Sequence, residues 1–214
     1  MFFMIEKMHI IRLDACNETH LTAIVELHTR LLPNSLYAQL GNYFLKDFYY
    51  KKLSQAAWMK TDFYECEGKW VGFISYTEFP EKFSFVSIFR HYFFHLWYAL
   101  LRAVVQKPNR VFILWRAFRE NVQRNKFNQD ELMGEILSFA VFSSYITHVN
   151  PETGKKISDL LFEHAFAYLK RMNLKKARLL VKKSNKLALR FYASHGGAIA
   201  ADYDDLTYLV HFLL

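Results

Sequence analysis

Apolar and polar positions alternate over His9-Ile10-Ile11-Arg12-Leu13, which predicts an opening strand. Asn17 to Thr19 then offer helix N-caps, and apolar residues recur at Leu21, Ile24, Val25 and Leu27-His28, the spacing of an amphipathic helix. Leu31-Leu32-Pro33-Asn34-Ser35 ends that helix, and Ser35 can cap a second one through Leu36, Leu40, Phe44, Leu45, Phe48 and Tyr49. A hairpin follows, with strands Asp62 to Cys66 and Trp70 to Tyr76 around the turn Glu67-Gly68-Lys69. Residues 83–126 read as two helices broken at Lys107-Pro108-Asn109, with Pro108 suited to the first turn of the second. Glu135 to Val141 is nearly all apolar and predicts an interior strand. Gly154 precedes a long helix with Ile157, Leu160, Leu161, His164, Ala165, Tyr168 and Leu169 on one side. Ala177 to Val181 is a strand, Asn185 to Ser194 a short helix ending at His195-Gly196-Gly197, and Ala198 to Tyr203 and Leu206 to Leu213 are terminal strands. This order is that of a mixed α/β sheet in one domain, 1–214, with a helical insertion at 83–126.

Composition narrows the class. The 214 residues are 52% hydrophobic and 18% aromatic with only 7 Gly and 4 Pro, which excludes disordered and low-complexity classes and supplies a full core. Cys16 and Cys66 are too few for a disulfide framework or a thiolate zinc site, and read as buried thiols in a reducing compartment. Phe83 to Val105 is interrupted by Arg90, His91, His95 and Arg102, short of the roughly 18 continuous apolar residues of a membrane span. The start of the chain has too short an apolar run for a signal peptide, so a soluble cytoplasmic protein is expected.

The net charge of +8 is concentrated in two blocks. Residues 83–126 hold eight basic side chains against the single acid Glu120, and residues 164–190 hold nine basic side chains and no acid. Each block calls for an anionic partner.

Three stretches carry a resemblance: Glu135-Ile-Leu-Ser-Phe-Ala-Val141, Thr153-Gly-Lys-Lys-Ile-Ser158, and Asn185-Lys-Leu-Ala-Leu-Arg-Phe-Tyr-Ala-Ser-His-Gly196. They resemble, in order, the cofactor strand, the phosphate-binding turn and the N-x-x-A-x-x-F-Y-x-x-x-G helix of the GCN5-related N-acetyltransferase (GNAT) family. Leu27, His28, Leu32, Pro33 and Ser35 look like the L-H-x-x-x-L-P-x-S pattern of bacterial members with a helical insertion after the third strand. The turn departs from the family in having Thr153, Lys156 and Ser158, and several extra residues separate Val141 from Gly154. A rival register makes Ser144 to Val149 the cofactor strand; both registers start the long helix at Gly154 to Ser158. The resemblance implies a mostly antiparallel central sheet flanked by helices, with a two-helix insertion.

It also implies an acyltransferase that uses acetyl-CoA as co-substrate and a small-molecule primary amine as acceptor, attacking directly in a ternary complex. Backbone N–H groups at Phe139, Ala140 and Val141 would hold pantetheine and the carbonyl oxygen as it gains charge. Gly154, Lys155, Lys156, Ile157 and Ser158 would bind pyrophosphate at a helix N-terminus. Asn185, with Ala188 and Phe191 of the same motif, would hold the pantetheine arm, and Tyr192 would donate to the leaving thiolate. An ordinary Tyr (pKa about 10) transfers a proton to a thiolate (about 8.5) uphill by roughly 2 kcal/mol, so a strengthening hydrogen bond is the expected form of help. Glu135 is the first candidate for the base that deprotonates the amine and His148 the second, the order reversing in the rival register. A non-catalytic CoA-binding or interaction module on the same fold is the alternative.

His91 and His95 are spaced as paired metal ligands, but no acidic third ligand lies nearby and no metal is expected. The insertion holds eleven aromatics. It reads in three ways: as cover for the sheet or for a homodimer interface, as the wall of a pocket for a bulky acceptor such as a nucleotide-linked amino sugar, or as a helix on an anionic membrane surface with Arg102, Arg110 and Arg116 at the headgroups. No groove-reading or base-stacking motif points to nucleic acid. His28 to Tyr37 and the insertion would form the acceptor side.

Overall fold

The alternation at the N-terminus forms β1 (Met8–Arg12), the edge of a seven-stranded sheet ordered β1-β2-β3-β4-β5-β7-β6. The computed structural model describes residues 8–83, 85–113 and 133–214. β2 (Lys60–Cys66) and β3 (Lys69–Thr77) make the expected hairpin, with Glu67 and Gly68 both at positive φ, as a tight two-residue turn requires. β4 (Met133–Val141) lies antiparallel to β3 and parallel to β5 (Lys176–Lys182). β7 (Thr207–Leu213) pairs with β5, and β6 (Ala198–Asp202) is the outermost strand, with an irregularity in its pairing between Ile199 and Ala201. Of the six pairings among the described residues only β4 with β5 is parallel, so the sheet is mixed and mostly antiparallel.

Each face of the sheet buries its own core, which is why the central strands read as nearly all apolar. One core joins Tyr64, Ile74 and Ile136 to α5 (Ile157–Arg171) through Ile157, Leu161, Phe162, Ala165 and Leu169, and to Tyr192 of α6 (Lys186–Ser194). The other joins Phe63 and Phe73 to α1 (Glu18–Leu31) through Leu21, Ile24, Val25 and Leu27. Each fully buried Leu, Ile or Phe contributes roughly 1.5–3 kcal/mol relative to exposure. The caps expected at Asn17 and Ser35 form: Asn17 accepts from Thr19 and His20 N–H, and Ser35 from Ala38 N–H. Asn185, read as the first residue of the short helix, is its cap and accepts from Ala188 N–H.

The second helix departs from expectation. In place of one helix from Leu36 to Tyr49, α2 (Leu36–Leu40) stops at Gly41, whose φ of +101° ends the helical run. A nine-residue π-helix, Phe44–Lys52, then runs into α3 (Leu53–Gln55). The wider turn sends Phe44, Leu45, Phe48, Tyr49 and Tyr50 all inward. Gly41 is also a point of close approach, because a Cβ there would lie 2.5 Å from Arg110 Nη2. Arg110 donates through Nε to Gln39 O (3.0 Å) and through Nη1 to Ala103 O (3.1 Å), tying the insertion to this bend.

The first helix of the insertion is α4 (Phe85–Gln106), kinked at Tyr92, and helix resumes at 110–113 beyond the break at Lys107 to Asn109. The rest of the stretch expected to form the second helix, with Arg116, lies outside the described residues. Cys66 is buried as expected, whereas Cys16 is exposed. Among the described residues no helix is long and apolar enough to cross a membrane.

Candidate functional site

β4 changes character halfway along. Met133 to Ile136 pair with Lys176 to Leu179 of β5, and the pairing stops there. Leu137 is an extra residue on β4, since Ser75 faces Ser138 and Tyr76 faces Ile136. This bulge bends the strand away from β5, so Leu137 to Val141 remain paired to β3 alone and expose their other backbone edge. Alternate N–H and C=O groups along that edge point into the gap. The register with Glu135–Val141 as the opened strand therefore holds, and the rival fails: Ser143–Tyr145 is a 3-10 turn and the residues after it are loop.

Two helices begin at the same end of the sheet as the gap. α5 follows β4 and α6 follows β5, so both helix N-termini, with their unpaired N–H groups and partial positive charge, flank the opening. The loop before α5 is more structured than a glycine-rich turn. Asn150 is buried, donates through Nδ2 to the Tyr64 hydroxyl (2.8 Å) and accepts from Glu152 and Thr153 N–H. Val149 and Lys156 form a bridge, and Gly154 sits at φ +67° with its N–H on Asn150 O.

Of the expected phosphate ligands, Lys156 is exposed and Ser158 is buried in the first turn. Ile157 is in the core, and its N–H is taken by His148 O (3.3 Å). Lys155 reaches back to both carboxylate oxygens of Glu163 (2.8 and 2.7 Å). Asp159 in the first turn of α5 faces His195 at 3.4 Å.

At α6, the Asn185 side-chain oxygen is engaged as the cap and Ala188 is half-buried. Phe191 reaches across the gap to Phe139 of β4, ring centroids 5.5 Å apart, with Phe162 of α5 completing the group. Tyr192 turns the other way. Its ring packs on Phe162 and Phe212, and it lines an open groove of about 480 Å³ with Leu189, Ile199 and Val210. Burial raises the Tyr192 hydroxyl above the ordinary tyrosine range, and no described residue bonds to it. Lys186 and Arg190 line the same groove, and Lys182 is exposed at the end of β5. Two cations of the basic block are used internally: Arg178 pairs with Glu135, and Lys183 with Asp202.

Glu135 lies on the closed part of β4, directly opposite Arg178. Both are buried, and Arg178 donates to Glu135 Oε2 through Nε (3.0 Å) and Nη2 (2.9 Å). A carboxylate held this way is a clamp for the paired ends of β4 and β5. His148 is half-buried in the loop after β4, its ring 5.7 Å from that of Tyr145.

The opposite face holds a polar chain that sequence reasoning singled out only through His28 and Ser35. His28 is fully buried and stacks on Phe73, whose partner in the sheet is Ala140. Its Nδ1 shares a 2.6 Å hydrogen bond with the Tyr50 hydroxyl and its Nε2 a 2.7 Å bond with Ser35 Oγ. Tyr50 continues to Ser75, and Ser75 to Thr61 (2.9 Å). Burial lowers the His28 pKa to about 4, so the ring is neutral at pH 7, and the same cause raises that of Tyr50.

A second buried group, Asp62, accepts from Arg12 and from the Tyr76 hydroxyl (2.7 Å) and faces His164 at 3.4 Å. Burial alone would raise its pKa, but the bonds from His164 and Arg12 outweigh that and hold it below its ordinary value. Among the described residues no cluster of His, Cys, Asp or Glu could hold a metal ion.

Solved structures share this architecture over nearly the whole chain. The PaiA N-acetyltransferase from Thermoplasma acidophilum, in complex with coenzyme A, is 15% identical over 97% of this chain and 99% of its own, with a TM-score of 0.54. An acetyltransferase of the GNAT family from Streptococcus pneumoniae is 13% identical over 97% and 100%, with a TM-score of 0.53. The ribosomal-protein-S18-alanine N-acetyltransferase from Escherichia coli is 12% identical over 97% and 94%, with a TM-score of 0.51. No family model and no curated protein matches the sequence. The chain has the GNAT fold, and the likeness is one of fold.

Proposed function

We propose that this protein is a CoA-dependent N-acyltransferase that moves an acetyl group from acetyl-CoA to the primary amine of a small-molecule acceptor. The observation that carries this reading is the gap between β4 and β5, opened by the bulge at Leu137 and flanked by the N-termini of α5 and α6. An exposed strand edge suits an amide-rich arm such as pantetheine, and two helix N-termini suit its phosphates. When bound, acetyl-CoA supplies the acetyl group activated as a thioester.

The edge at Phe139, Ala140 and Val141 holds the arm and donates to the carbonyl oxygen. Lys156, with the first turn of α5 at Ser158, binds phosphate. Asn185 contributes its amide nitrogen, and the Phe139–Phe191 pair forms the apolar wall. Glu135 keeps β4 and β5 joined below the gap, and His148 accepts the amine proton. Tyr192 assists the leaving sulfur only after a rotation that brings its hydroxyl round from the groove beside β7.

A second reading, CoA binding or a docking role without turnover, draws support from the same places. The loop before α5 is tied by Asn150, one N–H of the helix end is used by His148 O, and Phe191 lies against Phe139 in the gap. Calorimetric titration with acetyl-CoA, followed by thiol release over a panel of amines, tests both. Saturable binding with amine-dependent thiol release is expected. Absence of binding overturns the first reading, and binding with no release across the panel favours the second.

A further inference from the structure

The insertion leaves one surface unaccounted for by the gap and its helices. α4 buries a face through Leu96, Ala99 and Ala103, which packs beside the π-helix. Its outward face is apolar as well. Phe94 is 82% exposed, Val105 74% and Trp97 59%, with Tyr98 and Leu101 between them. Past the break, Val111 and Phe112 extend the same character. A soluble helix with one buried stripe ordinarily carries polar residues opposite it. Here the opposite side is a continuous run of large aromatic and aliphatic groups, of a kind that marks an interaction surface.

The charges carried by α4 and the turn after it have one sign. Residues 85–113 contain Arg90, Arg102, Lys107 and Arg110 and no Asp or Glu. Arg90, Arg102 and Lys107 are exposed, whereas Arg110 is turned inward to the bend at Gly41. Arg102 lies over the Tyr43 ring at 4.1 Å and keeps its charge at the surface. Asp47 shares a groove with Phe94, His95 and Tyr98 and is flanked there by Lys51 and Lys52.

We infer that α4 docks the protein on an anionic membrane surface, its outward face at the headgroup–acyl boundary and Arg90, Arg102 and Lys107 among the lipid phosphates. Aromatic side chains in the plane of the bilayer, with cations at their margins, are the chemistry of an interfacial helix. α4 is long enough to cross a bilayer but not apolar enough, and its inner face is already committed to the protein core. Pairing two copies through this face would bring the same three cations together while the acid beside it, Asp47, is already flanked by Lys51 and Lys52, whereas a bilayer rich in phosphatidylglycerol supplies negative charge. The placement is independent of what the gap binds.

Co-sedimentation of the full chain with vesicles tests it directly. Binding is expected to vesicles of phosphatidylcholine with about one quarter phosphatidylglycerol, and not to phosphatidylcholine alone. It should be lost in about 1 M salt, where charges are screened beyond roughly 3 Å. The double variant Phe94→Ser/Trp97→Ser should weaken partitioning by at least about tenfold. Both side chains are exposed, so its unfolding temperature and its acetyl-CoA titration should match the parent protein. Arg90→Gln/Lys107→Gln, which leaves the aromatics in place, should weaken it by about fivefold per cation. No binding to the anionic vesicles overturns the inference, and so does binding that neither variant reduces. A dimer in sedimentation analysis that Phe94→Ser/Trp97→Ser dissolves would assign the face to a second copy and overturn it as well.

Discussion

The two ends of β4 differ more than most pairs of separate strands. From Met133 to Ile136 the strand is buried, paired to β5, flanked also by β3 at Glu135 and Ile136, and clamped by Glu135 and Arg178; from Leu137 to Val141 it is half-buried and paired on one side only. One extra residue marks the change. The comparison shows how a sheet can be rigid and open within a single strand: a buried ion pair fixes the divergence point, and the edge beyond it is held from behind. That backing comes from β3, where Phe73 lies between Ala140 and the buried ring of His28.

Breaking the closed end should have the largest effect. Arg178→Met leaves the Glu135 carboxylate buried without its partner, a cost of about 3–5 kcal/mol read from the urea midpoint. Glu135→Leu combined with Arg178→Met should recover most of that loss. If the double variant is no more stable than the single, the pair does more than neutralise itself.

The backing of the open end is sensitive to acid. His28 has an ordinary pKa of 6.5 when unfolded and about 4 when folded. The unfolded chain therefore takes up a proton in that window while the folded protein does not. This part of the stability is intact above about pH 6.5 and falls by about 3 kcal/mol by pH 4. Asp62 is held below its ordinary 3.8, so its own contribution is lost only in stronger acid. In urea titrations between pH 7 and 4, His28→Gln should flatten the acid limb even where it lowers stability at pH 7.

At the gap itself, Tyr192→Phe should reduce turnover by at least about tenfold while leaving CoA affinity within about threefold. An unchanged rate would leave Tyr192 as packing between Phe162 and Phe212. The smallest expected effect is at Gly154. A Cβ there meets nothing within 4 Å, so Gly154→Ala carries only the strain of a left-handed residue, about 1–2 kcal/mol in thermal unfolding.

Features set by near neighbours in the chain were legible in the sequence. The caps at Asn17 and Ser35, the turn at Glu67-Gly68 and the strand Glu135 to Val141 each depend on a few adjacent residues. The bulge was hidden because both faces of β4 are apolar. Ile136, Phe139 and Val141 join one core while Leu137 and Ala140 join the other, an alternation reset by the extra residue.

The π-helix was hidden because Phe44, Phe48 and Tyr49 suit a 3.6-residue period about as well as a wider one. Pairings across the fold left no local signal either: Glu135 with Arg178 requires the register of two parallel strands, and Asn150 with Tyr64 spans 86 residues of sequence. Glu135 was legible as a strand residue near the chemistry, but not as one half of a clamp.

The irregular pairing of β6 bears on how the protein behaves when crowded. Ala198–Asp202 ends the sheet, is largely exposed, and includes Ile199 at 57% exposure. A regular edge of that kind would template an extended segment from a neighbouring molecule through main-chain hydrogen bonds. The break in step between Ile199 and Ala201, followed by the Asp202 carboxylate held by Lys183, interrupts the even row of donors and acceptors such a segment would need. A strand laid along this edge would lose register at the break, so the sheet has a built-in stop against filament growth.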